Sequence, residues 1–540
     1  METKSSISLA DWWERTRLPV LVLTTALIAW LLGTQILTSK DMPQARNQFA
    51  LSEADLVLQA SFYPAEKEDL IAKVLGSNRA AEAGLIQYQS IRKEVSNSQD
   101  ILRKNLTEGK DNKDTRRQKI LSNVLDRTVD RLDEIDIEIG LLQVKNNEVN
   151  RGISTWQKVV DRTNRRDLKK LAENSISLWQ SGKSLNPREF LPSQRNIPAW
   201  FVFDTWQKFY SVNSDKKELL ELQSKYTKLG KDARDRLINL LLSRAVFMLA
   251  GIATIAVGIV WLSWQILKTE YHDRVRVFRE VITARKQGWN IPWDGLTAWQ
   301  VIVFGFFAVS LFILPNLSGF LPILRTAQNP TQKAILVFVN YAIMAACGLA
   351  VMTSSIFQSV TTATTASPTE TPVKTNFLTG ISSRELFKLN FLSRWWLWGI
   401  GGYCVAIPIV LLVAAINAQI WQGNGGSNPL LELILNGHDR RALILYFITA
   451  TIAAPFYEEI LFRGFLLTSL TRYVNTWSAI VISGAIFAIA HLSLSEILPL
   501  MALGVILGYV YARSNSLLAS MCVHTLWNGG TLLSLVFLAG

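Results

Sequence analysis

Apolar stretches of membrane length recur along this chain and leave it few folds to choose from. They fall near residues 18–37, 245–267, 299–314, 334–357, 395–418, 442–470, 477–492, 497–512 and 517–538. Roughly 20 apolar residues in a helix cross the ~30 Å of hydrocarbon in a bilayer. Within lipid each backbone amide must find its partner inside the segment, which a helix provides. The expected fold is all-α, a polytopic membrane helix bundle of about nine spans.

The 540 residues are 49% hydrophobic and 18% charged, and the distribution along the chain separates its parts better than either total. Charge concentrates after the first span, so residues 41–240 read as a soluble α-helical insert between the first two spans. Its clearest helix carries Leu121, Leu125, Val129, Leu132, Ile135, Ile139 and Leu142 at spacings of four and three, one apolar stripe facing a core. Asn186-Pro187, Leu191-Pro192 and Ile197-Pro198 mark helix boundaries. Trp200-Phe201-Val202-Phe203 is expected to pack inside the insert. The run 148–159 resembles a tetratricopeptide-type helix pair without a clean period. A hairpin bundle with no ligand of its own is the preferred reading, ahead of a module that binds a protein partner.

Four parts follow: an N-terminal membrane anchor (1–40), the insert (41–240), spans with basic loops (241–394) and a C-terminal membrane domain (395–540). A Thr/Ser/Pro-rich linker is expected at 359–373. Arg15 and Arg17 precede the first span, which has no A-x-A cleavage site after it and reads as an uncleaved anchor. One basic loop carries Lys268, Arg274, Arg276, Arg279, Arg285 and Lys286, and another Lys374, Arg384, Lys388 and Arg394. Basic loops stay on the cytoplasmic side. That places the N-terminus inside and the insert on the opposite side of a plasma or internal membrane.

The net charge of +13 does not indicate nucleic acid, because the basic residues are mixed with acids or flank spans rather than forming one aromatic-flanked stripe. Cys347, Cys404 and Cys522 all lie in apolar segments, which excludes a disulfide framework and a cysteine zinc site.

Chemistry enters with Pro455-Phe456-Tyr457-Glu458-Glu459-Ile460-Leu461-Phe462-Arg463-Gly464, which puts three charges into an apolar segment. Charged side chains at membrane depth are costly and default to a functional reading. Adjacent helical residues diverge by about 100°, so the two glutamates cannot share a face. Glu459 and Arg463 are spaced i,i+4 in the favourable order and are expected to neutralise each other. Glu458 is left as the candidate base. The chain has only four histidines. His491 follows Phe487 by four, and Asn528 follows His524 by four, so each pair projects from one helix face. Counting helical rise from the nearest helix ends brings Glu458, His491 and His524 to similar depth.

EExxxR at 458–463, FxxxH at 487–491 and HxxxN at 524–528 resemble the CPBP family, the CAAX-type and bacteriocin-processing intramembrane endopeptidases, also called Abi. The resemblance covers about residues 440–535. It implies hydrolysis of a peptide bond in a membrane-associated or lipidated protein. Glu458 and His491 would activate water, and His524 with Asn528 would bind the oxyanion. Glu459, Arg463 and Phe487 would support the site. Members have been classed as metalloproteases, and Glu458, His491 and His524 would then form a His2Glu zinc site. A metal-free glutamate mechanism is the favoured alternative, because Asn528 suits an oxyanion clamp. No HExxH, GxGD or GxSG motif occurs. Cys522 and His524 lie about 200° apart on a helix and cannot form a dyad. Ser520, on the face of His524, reads as a helix–helix contact. Two other readings are an inactive membrane scaffold working through its insert, and a transporter relaying protons through Glu458 and the histidines.

Overall fold

The computed structural model of the chain describes residues 9–44, 46–63, 80–108, 115–180, 197–268, 289, 291–314, 329–365, 388–389, 391, 394–435 and 439–539, and no β-strand forms among them. They fall into two compact units. One consists of Lys40–Ala245, Trp421–Leu435 and Ser534–Gly540, and the other of Met1–Ser39, Val246–Ile420 and Asn436–Leu533.

Helix α1 is Leu9–Ser39. In the first unit α2 (Arg46–Ala60), α3 (Ala80–Glu108), α4 (Thr115–Lys145), α5 (Val149–Arg162), α6 (Arg166–Gln180) and α7 (Ala199–Val212) pack around one core. The stripe on α4 is buried at Leu121, Leu132, Ile135, Ile139 and Leu142. A side chain at Gly152 would bring its Cβ to 2.6 Å from the Gly140 carbonyl, so α4 and α5 cross at two glycines. Trp200 and Phe201 are buried, and Trp200 Nε1 donates to Asp55 at 2.7 Å. Pro198 caps the start of α7, where a proline costs no helical hydrogen bond. Pro187 and Pro192 lie outside the described residues. Helix α8 (Lys216–Lys268) runs unbroken for 53 residues, its second half being the second apolar span. The basic stretch after Lys268, with Lys374 and Arg384, also lies outside the described residues.

The second unit continues with α9 (Gly295–Ile313), α10 (Pro330–Thr365), α11 (Trp395–Trp421), α12 (Arg440–Leu470), α13 (Thr476–Ile489), α14 (Ile497–Ser514) and α15 (Leu517–Ala539). Eight helices among the described residues are long and apolar enough to cross a membrane, so this is an all-α polytopic membrane bundle. The stretch expected as a ninth span departs from that pattern: α13 has only 14 residues, about 21 Å at the helical rise. A turn ends it. Leu492 adopts φ 58°, Leu494 N donates to Ser39 Oγ at 3.1 Å, and Asn417 Nδ2 donates to the Ser495 carbonyl. The expected linker is also corrected at its start. Residues 359–365 prolong α10, and 366–373 are outside the described residues.

Helix α12 lies at the centre of this unit. Tyr457, Leu461, Phe462 and Phe465 are buried with Val301, Phe306 and Phe307 of α9 and Phe487 of α13. Where α13 and α14 meet, a Cβ on Gly504 would sit 2.8 Å from the Gly484 Cα.

Candidate active site

Both glutamates belong to a six-residue α-helical stretch of α12, Ala454–Glu459, between two π-helical segments, Thr449–Ala453 and Ile460–Leu467. π segments are rare and recur at functional sites. Here carbonyls of both accept side-chain donors from other helices. Asn528 Nδ2 donates to Ala450 O and Thr525 Oγ1 to Thr451 O, each at 2.8 Å, both from α15. Ser483 Oγ of α13 donates to Phe462 O at 2.8 Å.

The two carboxylates diverge as helix geometry requires. Glu459 and Arg463 form the expected pair, 2.8 Å apart with neither side chain exposed. Arg463 Nη2 also donates to the Gly504 carbonyl at 3.2 Å, and its guanidinium lies 4.5 Å over the Phe487 ring. Glu459 has a wider role than a counterion. Its Oε1 accepts His524 Nδ1 at 2.9 Å, and its Oε2 accepts the Ser520 hydroxyl. Ser520 is thus a donor to the carboxylate as well as a helix contact. These donors compensate a charge that would otherwise be prohibitively buried.

Glu458 is 15% exposed and faces two helices. Oε2 lies 3.8 Å from His524 Nε2 on α15, and Oε1 accepts the Tyr341 hydroxyl of α10 at 3.0 Å. Tyr341 was not among the residues singled out from the sequence. The available signal was a phenol in an otherwise apolar span, since a buried hydroxyl needs a partner.

The histidines are oriented by what their Nδ1 atoms touch. His491 lies in the turn after α13, not within the helix, with Nδ1 2.9 Å from the Phe487 carbonyl. A carbonyl only accepts, so Nδ1 carries the proton and Nε2 of the neutral ring is an acceptor. His524, 3% exposed, likewise commits Nδ1–H to Glu459 and turns Nε2 toward Glu458. Phe487 sits edge-on to both rings, with centroids 4.9 Å from His491 and 5.7 Å from His524. Glu458, His524 and Phe487 therefore converge. His491 joins through Phe487, with no hydrogen bond or ion pair to Glu458. Asn528 spends one amide proton on Ala450 and keeps a second.

The donor set does not close on a zinc ion. Among the described residues no group of three His, Cys, Asp or Glu side chains is placed to hold a metal. Glu458 Oε2 and His524 Nε2 lie 3.8 Å apart, a separation that two ligands each about 2.0–2.2 Å from one zinc ion can nearly span, so what the set lacks is a third ligand beside them. The second sphere has the carboxylate–histidine form of a metal site, but the first lacks its third member.

Comparison with known family models bears on the same stretch. Residues 440–530 match the family model described as type II CAAX prenyl endopeptidase Rce1-like. "Putative membrane peptidase YdiL" of Bacillus subtilis (strain 168) is 29% identical over 132 residues, covering 24% of this chain and 53% of that protein. "UPF0177 protein YxdF" of Lactococcus lactis subsp. lactis (strain IL1403) is 27% identical over 156 residues, covering 27% of this chain and 84% of that protein. The chain thus spans about half the length of the first relative. No solved structure matches. The matched stretch contains all three motifs, α12 to α14 and the part of α15 that carries His524 and Asn528, and it is this C-terminal membrane region that is similar to the type II CAAX prenyl endopeptidase Rce1-like family.

Proposed function

We propose that the C-terminal membrane domain is an intramembrane endopeptidase of the CAAX protease type, hydrolysing a peptide bond in a membrane-associated or lipidated protein. One observation carries this reading: Glu458 faces His524 Nε2 at 3.8 Å while Glu459 holds the far side of the same ring at 2.9 Å. Glu458 takes a proton from water as the water oxygen attacks the peptide carbonyl carbon. His491, with Nε2 left as an acceptor by its bond to Phe487, helps to hold that water. The remaining N–H of Asn528 is a donor for the oxyanion, and so is His524 Nε2 when it holds a proton. As the C–N bond breaks, the proton taken up by Glu458 passes to the leaving amine, and the base is regenerated.

The test compares new peptide termini in membranes of cells carrying the wild-type chain or Glu458→Ala. Termini that depend on Glu458, with unchanged thermal unfolding of the purified variant, are the expected result. Identical termini from a folded variant would remove the protease reading.

A further inference from the structure

Tyr341 stands 117 residues before Glu458 in sequence, on α10, outside the stretch matched by the family model. Its hydroxyl lies 3.0 Å from Glu458 Oε1 and 3.5 Å from the Ala454 carbonyl. A phenol has one proton to donate, and the shorter contact, to the carboxylate, takes it. Oε1 is thereby turned toward α10 while Oε2 faces His524 on α15. Two helices other than its own set the plane of this carboxylate.

The approach of α10 is built into the packing. Two turns beyond Tyr341, a Cβ on Gly348 would lie 2.0 Å from Tyr457 Oη and 2.8 Å from the Gly305 carbonyl, so only glycine fits. Tyr457 Oη donates to that Gly305 carbonyl at 3.4 Å. The Tyr457 ring stands edge-on to the Tyr341 ring, with centroids 6.3 Å apart. Tyr457 precedes Glu458 in the chain, so the contacts that seat α10 also seat the backbone bearing the carboxylate.

From this geometry we propose that Tyr341 is a positioning residue for Glu458, holding the carboxylate in the orientation that takes the proton from water. The inference deepens the protease reading and rests on it. A glutamate side chain has several free torsions, and a misplacement of about 1 Å in a reacting group costs on the order of 100-fold in rate. A hydrogen bond from a neighbouring helix removes that freedom before substrate arrives. The alternative is a phenol that merely satisfies its own hydroxyl, and the two roles predict different kinetics.

The probe is a membrane extract from cells carrying Glu458→Ala, in which uncleaved substrates accumulate. Purified wild-type protein, Tyr341→Phe and Glu458→Ala are added, and new termini are followed by mass spectrometry over a series of extract dilutions. Tyr341→Phe is expected to unfold at the wild-type temperature and cleave roughly ten-fold more slowly or worse, as loss of a hydrogen bond to a charged group implies. The factor should be the same at every dilution, the mark of a changed kcat with an unchanged KM. A defect that vanishes in concentrated extract would assign Tyr341 to substrate binding and overturn the proposal. Wild-type rates for Tyr341→Phe beside a dead Glu458→Ala would also overturn it while leaving the protease reading in place. If Glu458→Ala cleaves like wild type, both fall together. Should Tyr341→Phe prove unstable, infrared spectra of the folded protein decide. The carboxylate stretching band of Glu458, assigned with Glu458→Gln, shifts in Tyr341→Phe measured below its unfolding temperature, where the phenol's hydrogen bond is gone, and an unmoved band overturns the proposal.

Discussion

His524 gives its Nδ1–H to the Glu459 carboxylate at 2.9 Å, on the same oxygen that pairs with Arg463. The second glutamate of the motif therefore joins two tasks, neutralising a cation within its own helix and aiming an imidazole from another. Losing it would disturb the ring that faces Glu458 as well as the fold of α12.

Separating those tasks requires two substitutions. Arg463→Ala strands Glu459 as a buried charge and is expected to destabilise the protein by about 3–5 kcal/mol. Combining Glu459→Gln with Arg463→Met removes both charges and should recover most of that stability, as read by thermal unfolding of the purified protein. Cleavage of membrane substrates should stay roughly ten-fold or more below wild type, because His524 keeps only a neutral acceptor. A well-folded, fully active Arg463→Ala would show the pair to be dispensable.

The donor geometry bears on metal use. Treatment with a strong chelator, followed by its removal, is expected to leave Glu458-dependent cleavage unchanged. Loss of cleavage that returns with zinc, together with stoichiometric zinc in the purified protein, would restore Glu458, His491 and His524 as ligands.

Within the insert a pH dependence follows from burial. Desolvation pushes the Glu138 carboxyl well above its ordinary 4.5, against the opposing pull of Arg131. Asp55 is raised for the same reason, although Tyr88 and Trp200 both donate to it. A carboxyl that holds its proton more tightly when folded adds stability below its unfolded value, and that contribution is lost as pH rises through the folded one. Amide exchange in α3 and α4 of the intact protein should therefore be better protected at about pH 5 than at about pH 7.5. Glu138→Gln should flatten the difference. Protection that increases with pH would contradict the assignment.

Much of this was legible in the residues, for physical reasons that also mark where legibility ends. Span positions follow from apolar length, and i,i+4 spacing foretells contacts within one helix, such as Glu459 with Arg463 and Phe487 with His491. The end of α13 was missed because Ile489, Ala490 and Leu492 continue the apolar run, while the turn is held by Ser39 and Asn417 from distant helices. The π segments carry no local signature, since their carbonyls are matched by Asn528, Thr525 and Ser483 on other helices. Tyr341 and the bond from Ser520 to Glu459 escaped for the same reason: spacing along one helix says nothing about which neighbour it meets.

Nothing reactive lies at Gly348, yet a Cβ there would fall 2.0 Å from Tyr457 Oη. The phenol that steadies Glu458 hangs from the same rod, two turns away. A single methyl at this remote point would work like a shim under one leg of a tripod: the reacting carboxylate would keep every atom of its own and lose its stance.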